Sequence, residues 1–175
     1  MPLVERTLHF RRLTADDLPL LHEWLQREHV RRWWTDRETY EDVVEHYLPA
    51  IDGREPTELY LIVLDGRPVG FIQTYLAADN PEWEALVQAE PEVAGVDLFI
   101  AEEELTGRGL GTEVLRRFVR EIVFAAPATT ACLADPDAEN TASLRAFEKA
   151  GFRRVRDFLD PGEGRTHTLM RLDRA

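Results

Sequence analysis

The sequence predicts a single α/β or α+β domain, and three observations point there. Strand-patterned and helix-patterned segments alternate along the chain. Asp65-Gly66 sits between two apolar runs, a strong signal for a hairpin turn. A glycine-rich stretch, Thr106-Gly107-Arg108-Gly109-Leu110-Gly111, lies between a strand pattern and an amphipathic helix pattern. A chain of 175 residues, 44% of them hydrophobic, suits one domain with a sizeable core. It carries no internal repeat, linker or low-complexity segment.

Residues 8–13 read as the first strand. Thr14 then caps a helix, with Asp17 at its third position in a variant of the capping box. Leu18, Leu21, Trp24 and Leu25 give that helix its apolar stripe. A second helix is predicted over residues 40–50, where Val43, Val44 and Tyr47 share a side. Residues 58–64 and 68–75 are the strands on either side of Asp65-Gly66. Residues 77–92 read as a long polar loop containing Asn80-Pro81 and Trp83, and long loops are often functional. Residues 93–101 form the next strand. After the glycine-rich turn, Leu110, Val114, Leu115, Phe118 and Ile122 mark one face of a helix ending near residue 124. A short apolar strand over residues 129–134 stops at Asp135-Pro136. Asn140 is the N-cap of a helix that Gly151 ends. Residues 152–159 and 165–172 are two closing strands around Pro161-Gly162.

Charge and composition exclude several classes. The net charge is -12, from 33 acidic and 21 basic residues, which argues against a nucleic-acid partner. An acidic protein suits a small cationic ligand, although net charge also serves solubility. The apolar runs are too short to span a bilayer, so no membrane partner is expected. Residues 1–10 lack an apolar stretch of signal-peptide length, and the one cysteine, Cys132, can form no internal disulfide. Cytoplasmic localisation follows, with Cys132 read as a buried strand residue. The five histidines show no ligand spacing, so no metal is expected, and no Gly-x-Ser-x-Gly elbow marks a serine hydrolase.

The glycine-rich turn is the strongest local motif. Without Cβ atoms, the backbone there can approach a ligand closely. Free N–H groups and the helix dipole make an anion site suited to a pyrophosphate, and Arg108 adds charge. The spacing is neither that of a Walker loop nor that of the dinucleotide fingerprint. A tight turn with glycines used only for packing remains the other reading.

Val96-Asp97-Leu98-Phe99-Ile100 followed by Gly107-Arg108-Gly109-Leu110-Gly111-Thr112 resembles the core of the GNAT acetyltransferase superfamily. Asn140 with Phe147-Glu148-Lys149-Ala150-Gly151-Phe152 matches its next block. Over residues 8–170 the chain looks like the aminoglycoside 6'-N-acetyltransferases. That likeness rests on Glu23-Trp24-Leu25, Trp33-Trp34, Tyr47-Leu48-Pro49, Gly66 through Pro68-Val69-Gly70 to Gln73 and Tyr75, Gly95-Val96-Asp97 and Asp135-Pro136. Siderophore acyltransferases are similar in the same blocks.

The resemblance implies a mixed, mostly antiparallel sheet flanked by helices, with two central strands splayed into a V. It implies acetyl-CoA as co-substrate. Backbone groups of Phe99 and Ile100 would hold the pantetheine and thioester. Gly107, Arg108, Gly109, Leu110, Gly111 and Thr112 would bind the pyrophosphate, and Asn140 would contact the cofactor. Two departures stand out. Thr106 occupies a place where the superfamily usually has Arg or Gln. Phe147 replaces a tyrosine thought to protonate the departing thiolate, a group that ionises easily in any case.

On the amine side, a protonated amine cannot attack a thioester, so a base is needed. Residues 97 and 99 of a strand point to the same face, about 6.6 Å apart. That places the Asp97 carboxylate near the acetyl group, directly or through one water. The resemblance makes it the expected catalytic base, against the alternative of a strand-edge acid satisfied by backbone donors. The resemblance makes Asp135 and Glu90 ligands for substrate amines, although Asp135 before Pro136 also fits a turn and Glu90 a plain loop acid. Trp33, Tyr47 and Tyr75 are candidate aromatic walls for a sugar-like cation, against the alternative of core packing. Gln73 shares a strand face with Tyr75 and can hydrogen-bond a hydroxyl. The expected reaction is direct acetyl transfer to an aminoglycoside amine, with the protein a monomer or weak homodimer. A siderophore-type acyltransferase, a protein N-terminal acetyltransferase and a non-catalytic acetyl-CoA-binding module are the alternatives.

Overall fold

Seven strands, β1 (Leu8–Arg12), β2 (Glu58–Leu64), β3 (Arg67–Leu76), β4 (Ala94–Ile100), β5 (Ala131–Ala134), β6 (Arg153–Asp160) and β7 (Arg165–Asp173), lie in one sheet in the order β1-β2-β3-β4-β5-β7-β6. The helices are α1 (Leu18–Gln26), α2 (Glu28–Arg31), α3 (Tyr40–Ile51), α4 (Pro81–Val87), α5 (Leu110–Glu121) and α6 (Thr141–Lys149). The computed structural model describes residues 6–35 and 39–175; residues 1–5, part of the stretch read for a leader, lie outside them. The chain divides into two compact units, Met1–Gln73 with Leu98–Leu105, and Thr74–Asp97 with Thr106–Ala175.

In the first unit, β1 pairs antiparallel with β2, from Leu8↔Leu64 to Arg12↔Tyr60. The turn after β2 has Asp65 at φ 51° and Gly66 at φ 78°, the left-handed pair that a tight hairpin needs. Leu21, Trp24 and Leu25 of α1 and Val43 and Tyr47 of α3 pack on Leu61, Val63, Phe71 and Phe99 of the strands. The Thr14 capping box forms with Asp17, but it closes on a short 3-10 turn, Ala15–Asp17, and α1 begins only at Leu18. Pro19 is the reason: it has no N–H to return to Ala15, and proline is tolerated in a first helical turn. At α3, Asp42 N–H donates to Thr39 Oγ1 at 3.0 Å and Thr39 N–H donates to Asp42 Oδ2 at 3.2 Å. The short helix α2 is absent from the sequence reading, since four residues carry no periodicity.

In the second unit, β5 pairs antiparallel with β7, and β7 with β6. The parallel register between β4 and β5 comprises Ala94↔Cys132 and Gly95↔Leu133, while β4 itself runs on to Ile100. Residues 77–92, expected as a loop, contain a 3-10 turn, Ala77–Asp79, and the helix α4. Pro81 occupies the first turn of α4, where its missing N–H costs nothing. Trp83, Leu86 and Val87, at helical spacing, pack on Ala131, Leu133, Phe158 and Leu169. Gln88, at φ 56°, then ends the helix.

Gly70 marks a close approach in the first unit. A Cβ there would lie 2.5 Å from the backbone oxygen of Phe99 and 3.1 Å from Ile62 Cδ1. A backbone oxygen in a sheet cannot step aside cheaply. Gly70→Ala is expected to destabilise the protein by about 2 kcal/mol or more, read as a lower urea midpoint at unchanged slope. A midpoint equal to that of the wild type would contradict this packing.

Candidate active site

In the second unit, Tyr75 near the end of β3 and Asp97 on β4 meet directly. The Tyr75 hydroxyl donates to Asp97 Oδ2 at 2.9 Å. Gly95, two residues before Asp97 on the same strand face, makes this possible. A Cβ at Gly95 would collide with the Tyr75 ring and come within 2.9 Å of Trp83 Cη2. The backbone is tied at the same level, where Thr74 Oγ1 donates to Gly95 O at 2.8 Å. Tyr75 and Trp83 stack edge to face, their ring centroids 5.0 Å apart. Burial, the negative charges of Asp97 and Asp135 and the hydrogen bond to Asp97 together hold the Tyr75 phenol well above its ordinary pKa. It therefore stays a neutral donor, fixing one carboxylate oxygen of Asp97.

Asp135 follows β5 on the face that α4 covers. Its Oδ1 accepts from Trp83 Nε1 at 3.2 Å. Its Oδ2 lies 3.0 Å from His167 Nδ1, and His167 Nε2 lies 3.0 Å from Glu163 Oε2. Asp160 Oδ2 is 3.7 Å from His167 Nδ1. The chain after Asp135 continues beside β7, with Thr168 N–H donating to Pro136 O and Ala138 N–H to Thr166 O, both at 2.9 Å. This extension sets Asp135 and His167 on one face, because side chains on a strand alternate. Arg165 Nε pairs with Asp137 Oδ2 at 2.7 Å nearby. Burial lowers the His167 pKa, but hydrogen bonds to Asp135 and Glu163, and their charges, outweigh it and raise the value to about 9.

His167, with Asp135 and Asp160 or with Asp137 and Glu163, brings ligand-type atoms within 4.8 Å of one another. The histidine spacing in the sequence gives no hint of this, because the cluster forms only across β5, β7 and the β6–β7 turn. In the arrangement described, both ring nitrogens already face carboxylates, the pattern of a protonated imidazole.

Glu90 and Cys132 take other parts. Glu90 is paired with Arg171 Nη1 at 3.2 Å, its side chain 59% exposed. Its own backbone N–H and Arg171 keep its carboxyl below the usual range. Glu90, expected either to bind substrate amines or to be a plain loop acid, is thus paired with an internal cation. Burial, followed by the charge of Asp97, pushes the Cys132 thiol far up, so this cysteine is an inert core residue.

The glycine-rich turn leads into α5 as expected. Gly107 and Gly109 have φ 71° and 84°, and Gly109 is the N-cap. Residues 106–109 are exposed, while Leu110 and Thr112 are buried. Gly111 lets α5 approach α6, since a Cβ there would meet Ala146 Cβ at 3.7 Å. Asn140 caps α6, its Oδ1 accepting from Ser143 N–H at 3.2 Å. Phe147 is buried against Phe152, with ring centroids 5.0 Å apart.

In the first unit, Phe99 is buried between Trp24 and Trp34, with ring centroids at 6.2 Å and 5.1 Å. The Ile100 carbonyl oxygen is 3.0 Å from His29 Nε2, and the Ala101 carbonyl accepts from Arg27 Nη1 at 2.8 Å. Side chains around the α1–α2 junction thus hold the end of β4. Trp33 is half-buried, with the Arg32 guanidinium 4.9 Å from its ring centroid. Gln73 is half-buried. Tyr47, expected at a ligand wall, is 1% exposed, with its ring packed edge to face on Phe71 and His46. Its aromatic area is spent on the core of this unit.

Residues 14–159 match the acetyltransferase (GNAT) domain. The chain belongs to this GNAT acetyltransferase family. The aminoglycoside N(6')-acetyltransferase type 1 of Klebsiella pneumoniae is 38% identical over 149 residues, covering 82% of this chain and 73% of that protein. The solved structure of aminoglycoside acetyltransferase AAC(6')-Ib with coenzyme A and kanamycin is similar at a TM-score of 0.86 and 35% identity, covering 96% of this chain and 95% of that one. The lysine N-acyltransferase MbtK of Mycolicibacterium paratuberculosis is 28% identical over 137 residues, covering 78% of this chain and 61% of that protein.

For a GNAT acetyltransferase, the Tyr75–Asp97 contact is the feature that sequence reasoning half found. Both residues were candidates, but nothing in their spacing told that one holds the other. Tyr75→Phe is expected to keep the fold and lower kcat about tenfold, the scale of a hydrogen bond to a charged group. KM for acetyl-CoA should stay within about twofold if Tyr75 acts through Asp97. Equal losses in kcat and in acetyl-CoA affinity would contradict a positioning role.

Proposed function

We propose that this enzyme transfers the acetyl group of acetyl-CoA to a primary amine of an aminoglycoside, the 6'-amine, by direct attack in a ternary complex. The observation that carries the reading is the Asp97 carboxylate on β4, steadied by the neutral phenol of Tyr75 on β3. Relatives named for this activity, and a similar structure holding coenzyme A and kanamycin, support the substrate class.

The exposed turn at Gly107 and Gly109 and the first-turn N–H groups of α5, which receive no side-chain cap, suit the pyrophosphate of acetyl-CoA. Arg108 adds a positive charge. Asn140 has its Oδ1 in the cap, so its cofactor contact falls to the Nδ2 group. Asp97 takes a proton from the substrate ammonium, directly or through water. The freed amine attacks the thioester carbon, and the tetrahedral intermediate gives up its N–H proton to water. It collapses to the amide as the C–S bond breaks and coenzyme A leaves as its thiolate. Phe147 offers no proton, so the thiolate leaves unprotonated or takes a proton from water. Tyr75 and Asp135, both in the second unit, form the acceptor side in this reading. Tyr47 contributes only by packing, and Glu90 is held back by Arg171. The chain acts without a metal.

The test is thiol release from acetyl-CoA with kanamycin, with the product mapped by NMR. Acetylation at the 6'-amine is expected, and Asp97→Asn should lower kcat about 10²- to 10⁴-fold. Acetyl-CoA binding without turnover would count against the reading, as would an Asp97→Asn enzyme as fast as the wild type.

A further inference from the structure

Among the acids near Asp135, charge is not freely available to a ligand. Asp135 has both oxygens engaged inside the protein, one by the Trp83 indole N–H and one by His167. Glu163, in the β6–β7 turn, faces the other ring nitrogen of the same histidine. The two side chains of the Asp135–His167 pair are only 13% and 9% exposed. An imidazole with an acceptor at 3.0 Å from each nitrogen satisfies both only when it carries two protons. The sequence therefore places a cation of its own between two carboxylates that would otherwise bind a ligand's ammonium groups.

We propose that His167 is a specificity-determining residue, an internal imidazolium that occupies Asp135 and Glu163 and so steers the enzyme toward acceptors with fewer ammonium groups. The inference rests on reading Asp135 as part of the acceptor side. The competition is direct: an ammonium group at Asp135 must displace the ring or share a carboxylate with it. A neutral side chain at position 167 leaves both carboxylates for the ligand, and a polycation gains more from that than a monoamine.

The groups facing the ring are few and named. Asp135 comes from the end of β5, and Asp137 with its partner Arg165 from the segment beside β7. Asp160 comes from the end of β6 and Glu163 from the β6–β7 turn, and the Phe158 ring of β6 lies edge-on with its centroid at 5.9 Å. Every acid in this set favours the protonated ring. The ring's pKa is raised from 6.5 to about 9, so its contribution to stability is complete below pH 6.5. That contribution fades as pH rises through about 9.

The experiment compares the full-length wild type with His167→Gln, which keeps a donor but no charge. The acceptors are kanamycin and 6-amino-6-deoxyglucose, a sugar with the same kind of primary amine and no other. The ratio of kcat/KM for kanamycin to that for the monoamine should rise about tenfold in His167→Gln, with a steeper fall as salt is added. An unchanged or lower ratio in a folded variant would overturn the proposal. Side-chain NMR of the wild type should find His167 protonated on both nitrogens at pH 7.5, and a neutral ring there would also overturn it. Urea stability of the wild type should fall between pH 6.5 and 9 more than that of the variant. If the wild type acetylates neither acceptor, the aminoglycoside reading fails separately. Calorimetry with kanamycin then decides this one: tighter binding to His167→Gln supports it, and equal or absent binding to both forms refutes it.

Discussion

A carboxylate proposed as a base has to be held still, and the Tyr75 hydroxyl does the holding for Asp97. That one hydrogen bond depends on a chain of local conditions. Gly95 must lack a side chain, or the Tyr75 ring could not lie against β4. Trp83 must sit edge-on to Tyr75, which requires α4 to lie on the sheet of the second unit. The same tryptophan then reaches Asp135 with its indole N–H. A glycine, two aromatic rings and two acids thus form a unit in which each member fixes the next.

The balance of charge in this region differs from what net charge implies. The chain is strongly acidic, at -12, yet several acids of the second unit are already answered from within. Trp83 and His167 take both oxygens of Asp135, Arg171 takes Glu90, and Arg165 takes Asp137. Net charge raises the long-range potential, but local pairing decides which carboxylate a ligand can use. The resemblance carries residue types from relatives to this chain without carrying their partners.

Much of the fold was legible because its signals are local. The strand β2, the Asp65-Gly66 turn, the glycine-rich entry to α5 and the Asn140 cap all follow from a few neighbouring residues. The helix α4 was not read, because its proline and acids look like a loop, although Trp83, Leu86 and Val87 keep helical spacing. Tyr47 was read as a wall because aromatics serve both cores and clefts; only packing against Phe71 decides between them. His167 was invisible for a different reason. Its partners lie at positions 135 and 163, and only the antiparallel pairing of β5, β7 and β6 brings them together. The sequence names candidate residues by type, and the partnerships among them come only from the fold.

The central claim is that Tyr75 works through Asp97, and a double-mutant cycle measures this most directly. The rate of acetyl transfer in a single turnover would be compared for the wild type, Tyr75→Phe, Asp97→Asn and the double variant. If the phenol acts only by fixing the carboxylate, its removal costs almost nothing once Asp97 is gone. The double variant should then match Asp97→Asn within about twofold. Losses that multiply, with the double variant slower by the full factor of each single change, would mean the two residues act independently and would contradict the account.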